Sequence, residues 1–222
     1  MGNHREPQQI AKRAIILGAI VVRFSFEVTS QPSAAELFQR ILPWLTEIGC
    51  GDEIDPIERE ELETPIGQLS ESQMIDVSWA GDAAAVFCWM LKLHEELEQT
   101  KGTNLGALPW LLGILKPEAL DIIRSAELRD LSEIEAACRQ FVLIRSMLQE
   151  ARVGPPASDT IRRVNIQRLS EVGQAVTDED VERASAIVSK MTPEDRKKTA
   201  GLYFVRDHAA LWFLSGRNRY YR

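Results

Sequence analysis

Histidine is scarce in this chain, with 3 among 222 residues, at positions 4, 94 and 208. His4 lies in a terminus. The stretch "HEELE" begins like a zinc-binding helix, but Glu98 stands where the second histidine would be. A mixed site of His94, Glu98, Asp82 and His208 is opposed by helical geometry. Asp82 and His94 fall about 120° apart on one helix at 100° per residue. No metal and no cofactor is therefore expected. Cysteine is equally sparse, 3 residues with no metal-ligand spacing, and an odd number does not close into disulfides. Cys88 and Cys138 sit in apolar helical patterns and read as small core residues. Cys50, in "GCGD", reads as an exposed turn residue. Together they point to reduced cytoplasmic thiols.

Long hydrophobic runs are missing too. The longest, Ala14 to Val22, ends at Arg23, short of the roughly 20 residues that span a bilayer. No small-residue cleavage site follows, so neither a membrane span nor a signal peptide is expected. Basic charge is not in excess: the net charge of −7 argues against nucleic-acid binding. Arg196-Lys197-Lys198 reads as a solvated helix face, and Arg217, Arg219 and Arg222 as a frayed tail. "KGTNLG" lacks the spacing of a phosphate-cradling loop, and no Gly-x-Ser-x-Gly elbow occurs. There is no internal repeat.

What is present is globular and helical. The chain is 45% hydrophobic and 27% charged. Its length fits one domain over residues 1–222, with 1–66 as an N-terminal appendage packed on a 70–216 core. Ser or Thr followed three residues later by an acid or amide marks helix starts at Ser33, Ser70, Ser132 and Thr177. Thr192-Pro193 marks another, with proline at the first helical position. The periodicity predicts helices over Pro7–Val22 with an extended tail to Val28, Ala34–Ile48 with a kink at Pro43, and a short acidic turn in "DPIEREEL". It continues with Glu71–Glu98, Trp110–Leu115, Pro117–Ser125 and Glu133–Ala151. After the break "VGPPAS" it gives Asp159–Val172, Asp178–Lys190 and Pro193–Leu214. The expected fold is all-α, an irregular multi-helix bundle around two central apolar helices.

Those two are the helix from Glu71 and the last one. Around Trp79, the residues Ile75, Val86, Met90 and Leu93 fall within about 40°. Asp82 lies inside this apolar face. Gly81, Ala84, Ala85 and Cys88 line the opposite side, small enough to let another helix approach. The last helix is apolar nearly all round, yet holds Arg206, Asp207 and His208 in succession. They point about 100° apart, so at least one must be buried. Arg145, inside "FVLIRSML", follows the same logic. A buried carboxylate is costly unless paired. Asp82 is therefore expected to pair with Arg206, Arg145 or His208. The candidate polar cluster or pocket is Asp82, Arg206, Asp207, His208, Arg145 and Trp79, with no catalytic residue assigned. The five tryptophans read as core anchors.

"SWAGDAAAVFCWML", "AELRDLSEI" and "VRDHAALWFLSG" together resemble a bacterial family known as domain of unknown function 4272. Trp79, Asp82 and Trp89 hold its Trp, acidic and Trp places. His208, Ala210 and Leu211 match near its end, where Arg206 and Asp207 replace a Glu-Arg pair. The resemblance spans about residues 70–216 and implies no activity or cofactor.

The resulting expectation is a non-enzymatic cytoplasmic helical protein that binds another protein. The acidic segment Gly51–Glu63 reads as solvated and would meet a basic partner surface. The alternative is a small-molecule binder or hydrolase-like enzyme with a polar site around Asp82 and His208. A purely structural domain of a larger assembly is the third reading.

Overall fold

The structure, a computed structural model, describes residues 4–29, 34–97, 101–102, 104, 106–153 and 157–215. Among these the chain is all-α, with ten α-helices, one 3-10 turn and no strand. It divides into two compact units. The first comprises Glu6–Leu97 and Thr103–Leu128. The second is built on Arg129–Arg222 and takes in Met1–Arg5 and Glu98–Gly102. The chain passes between the units at residues 5–6, 97–98, 102–103 and 128–129.

In the first unit, α1 (Pro7–Thr29) packs against every other helix of the unit. These are α2 (Ala34–Glu47), α3 (Pro56–Glu63), α4 (Glu71–Met90), α5 (Leu108–Leu111) and α6 (Glu118–Arg124). Its residues from Ile10 to Val21 are buried on nearly every side, apart from Lys12. An all-round apolar helix belongs at a centre, so the run "AIILGAIVV" marks the middle of this unit. α4 is buried all round from Ala80 to Met90, and α1 is its main neighbour. The stretch 23–28, expected to be extended, continues α1. Arg23 holds Glu27 one turn on at 2.6 Å and the carbonyls of Thr64 and Pro65 at 3.0 and 3.1 Å. That anchor overrides the weak helix propensity of "FSFEVT".

The ends of these helices follow backbone chemistry. α4 begins in the expected capping box of Ser70 and Gln73. α3 has an unforeseen one, Asp55 with Glu58, and Pro56 at its first position. The periodicity predicts a helix to Glu98, but α4 stops at Met90. Lys92 turns left-handed (φ 60°), its N–H bonds the Trp89 carbonyl at 3.1 Å, and the Leu93 N–H bonds that of Cys88 at 2.9 Å. This is a Schellman ending, usually made by glycine. Residues 91–95 are turn and bend and 96–97 are irregular, so "HEEL" is not helical. Gly49 and Gly113 close the same pair of bonds after α2 and α5. At Gly113 a Cβ would also come within 2.9 Å of the Ala119 nitrogen.

Several expectations for side chains in this unit are corrected. Cys50 is fully buried. Ile75 is exposed, because the first turns of α4 stand clear of the core. Trp110 is 73% exposed, with the Lys116 ammonium 3.9 Å from its ring centre. The acidic segment is not wholly solvated. Glu58 and Glu61 are buried with Leu62, while Ile57, Glu60 and Glu63 face outward.

In the second unit, α7 (Leu131–Val153) is central, with α8 (Ala157–Glu171), α9 (Asp178–Ser189) and α10 (Pro193–Ser215) packed against it. Its buried Ile134, Cys138, Phe141, Val142 and Leu148 recur at helical spacing. The cap of α7 is Asp130 and not Ser132. Asp130 Oδ1 accepts from the Ser132 N–H at 2.8 Å and from its hydroxyl at 2.5 Å. These bonds hold the Asp130 carboxyl below its usual range. The expected capping box of Thr177 and Asp180 opens α9, and Thr192 pairs with Asp195 at the start of α10. α10 is buried nearly all round, and α7 is its neighbour. The two helices expected to be central, α4 and α10, thus belong to different units. The start at Ser33 and the break at residues 154–156 lie outside the described residues.

Candidate functional site

Asp207 is the polar centre of the second unit. It is fully buried on α10, and both of its cationic neighbours reach the same oxygen. Arg145 on α7 donates from Nη1 to Oδ2 in a close contact, and Arg168 on α8 donates from Nη2 to Oδ2 at 3.3 Å. Three helices therefore meet on one carboxylate. Asn165 holds the other terminal nitrogen of Arg168 at 3.0 Å. Asp207 Oδ1 is buried and has no hydrogen-bond partner among the described residues. A buried acceptor in that state costs about 1–3 kcal/mol.

His208 stands next to it, partly exposed. Its Nδ1 lies 2.7 Å from the Phe204 carbonyl oxygen, which can only accept. Nδ1 therefore carries the proton, and in the neutral ring Nε2 keeps its lone pair. Burial lowers the His208 pKa below its ordinary value. The Phe204 carbonyl and Asp207 oppose that shift, and Arg145 and Arg168 reinforce it. The imidazole is thus neutral at pH 7. Its Nδ1 is 3.8 Å from Asp207 Oδ2, too far for the hydrogen bond that orients the base of a catalytic triad. The half-exposed Phe204 ring lies against both His208, with centroids 4.2 Å apart, and the Arg145 guanidinium, 4.5 Å away.

Of the residues expected to cluster, Arg145, Asp207 and His208 come together. Arg206 is buried next to them in sequence and lies near two aromatic rings. Its guanidinium lies 5.8 Å from the Phe141 ring centre and 5.5 Å from that of Tyr203. Burial raises the Tyr203 pKa, and Arg206 opposes that rise by charge and a hydrogen bond. Asp82 is buried at 8% exposure, and Trp79 is half-buried. Both belong to the first unit, whereas Arg145 and Arg206 to His208 belong to the second.

Several buried ionic groups escaped the sequence reading. Arg13 and Glu58 form a two-pronged buried pair between α1 and α3. Arg23 is fully buried, with its guanidinium 4.8 Å from the Phe38 ring centre. The signal was available: both arginines interrupt the apolar α1, as Arg145 interrupts "FVLIRSML". Arg168 gave no such signal, since α8 reads as an ordinary surface helix. In the second unit Arg139 bridges Asp180 and Gln174 at 3.0 Å each. Burial works to raise the Asp180 carboxyl, but bonds from Thr177 and Arg139 hold it below its usual range.

The three cysteines are buried and unbridged. Burial pushes Cys50 and Cys88 up to about 12 and raises Cys138 further, so none is a ready nucleophile at neutral pH. Among the described residues, no group of three His, Cys, Asp or Glu side chains could hold a metal ion. No described helix is long and apolar enough to cross a membrane.

No curated protein and no solved structure gave a significant match to the chain. One family model, Domain of unknown function (DUF4272), matches residues 2–168. The match takes in α1 to α7 and most of α8, so it begins well before the residue 70 suggested by the motifs. It ends before the stretch at His208, Ala210 and Leu211. Covering well over half of the 222 residues, it shows that the chain belongs to the family of Domain of unknown function (DUF4272).

Proposed function

We propose that this chain is a non-enzymatic helical protein that binds a protein partner with a basic surface. The observation that carries the reading is the outward face of α3. Ile57 stands 60% exposed among the exposed Glu60 and Glu63, while Glu58 and Glu61 anchor the opposite face in the core. An exposed aliphatic side chain on a helix that also turns Glu60 and Glu63 outward, the latter 3.8 Å from Arg59, supports docking to a basic surface, with apolar contact for affinity and charge for approach rate. The buried, unbridged thiols favour a reducing compartment, the cytoplasm.

Tagged chain purified from the cells that make it should hold a partner in stoichiometric amount. Cross-links should fall on the α3 face. Ile57→Asp with Glu60→Lys should release the partner without changing the melting curve. Retention by that double variant, or no partner at all, overturns the reading. A small-molecule site is the second reading, and the unbonded Asp207 Oδ1 beside the His208 imidazole favours it.

A further inference from the structure

The group around Asp207 is unbalanced in charge and in hydrogen bonding. Among the described residues two guanidiniums pair with one carboxylate, an excess of one positive charge within the group, beside a neutral imidazole. The group is also graded in exposure. Asp207 is sealed at 0%, while the side chains of Arg145, His208 and Arg168 are 13%, 20% and 31% exposed. Solvent therefore reaches the cations and the imidazole but not the acid. Each terminal nitrogen of Arg168 spends one described bond, on Asn165 and on Asp207, and each carries two hydrogens. Guanidinium donors are thus left over at the accessible edge.

The acceptors are as telling as the donors. His208 gives its Nδ1 proton to the Phe204 carbonyl, so Nε2 can only accept. Asp207 Oδ1 also lacks a partner among the described residues, but it is sealed, so His208 Nε2 is the acceptor a ligand can reach. A ligand that suits this edge must bring negative charge for the arginines and a hydrogen of its own for an acceptor. A fully deprotonated oxyanion meets the first demand and fails the second.

We propose that Arg145, Arg168 and His208 form a binding site for a protonated oxyanion, a phosphate group that retains one O–H. The arginines take its charged oxygens and His208 Nε2 takes its hydrogen. Asp207 lies beneath as the fixed counter-charge that holds both guanidiniums in place. The inference rests on the small-molecule reading and leaves the α3 face untouched, so either can fail alone.

Inorganic phosphate and sulfate discriminate, because sulfate carries no proton at neutral pH. Thermal melts at pH 7.5 and matched ionic strength, with anion on the order of 10 mM, should show stabilisation by phosphate and little by sulfate. Titration calorimetry should give a phosphate affinity about tenfold lower in Arg168→Gln, as expected for loss of a charged contact. His208→Phe should bring phosphate down to the level of sulfate. Each variant is compared with and without anion, so any loss of intrinsic stability cancels. Equal stabilisation by the two anions, no phosphate effect, or unchanged discrimination in His208→Phe overturns the proposal.

Discussion

At the residue scale, burial decides what the charged groups do. Burial lowers the His208 pKa, so the folded chain resists a proton that the unfolded chain takes up as pH falls through about 6.5. The unfolded state then binds more protons, and stability falls with pH until the lowered folded pKa is reached. Melting temperatures from neutral to mildly acid pH should therefore drop less in His208→Gln than in the unsubstituted chain. Parallel curves would contradict this account. Glu58 is the sharper case. It is buried against Arg13 on α1 and also accepts the Asp55 N–H at 3.1 Å, which makes it half of the α3 capping box. Removing one partner of a buried pair costs about 3–5 kcal/mol. Urea denaturation of Glu58→Ala should show a loss of that order, whereas Glu60→Ala, on the outward face, should lie close to the starting protein.

At the element scale, helix starts and stops obey different rules. The starts at Ser70 and Thr177 depend on side chains three residues apart and announce themselves, and Thr192 does so through Pro193. At α7 two candidates compete, and Asp130 wins because its carboxylate reaches the N–H of the second helical residue. The stops of α2, α4, α5 and α8 depend on one residue adopting positive φ. Gly49, Gly113 and Gly173 do so without strain, and Lys92 does not. An L-residue in the left-handed region costs about 1–2 kcal/mol. Lys92→Gly should raise stability by roughly 1 kcal/mol in equilibrium denaturation. The exposed pair of Lys92 with Glu127, 3.5 Å apart, offsets little of that gain. A neutral or destabilising result would mean that Lys92 makes contacts worth more than its strain.

At the scale of the whole molecule, each unit is organised on one long helix, α1 in the first and α7 in the second. The cysteines are distributed across both: Cys50 and Cys88 in the first, Cys138 in the second. All three are buried, with burial raising each thiol pKa. Native protein should therefore react slowly with a thiol reagent at neutral pH, and all three thiols should react at once in denaturant. Fast native labelling of Cys138 with Cys50 and Cys88 protected would mean that the second unit opens by itself.

The helical class, the family resemblance and most helix positions were legible in the sequence. They rest on local rules, the 3.6-residue period and the capping spacing, which act within a few residues. Burial of Arg206 and Asp207 was legible in part, because three successive polar residues in an all-round apolar helix cannot all escape. Other features depended on contacts far apart along the chain. Arg145 and Arg168 converge on Asp207 from 62 and 39 residues away, and Glu58 meets Arg13 across 45. No local pattern encodes such pairings, since a partner is chosen by where helices pack and not by spacing. The same reason explains why Cys50 is buried. The sequence by itself determined the helical class, most helix positions and the burial of α4 and α10. Tertiary structure alone decided which charges meet, which oxygen of Asp207 is left over and which face of the acidic segment stays in water.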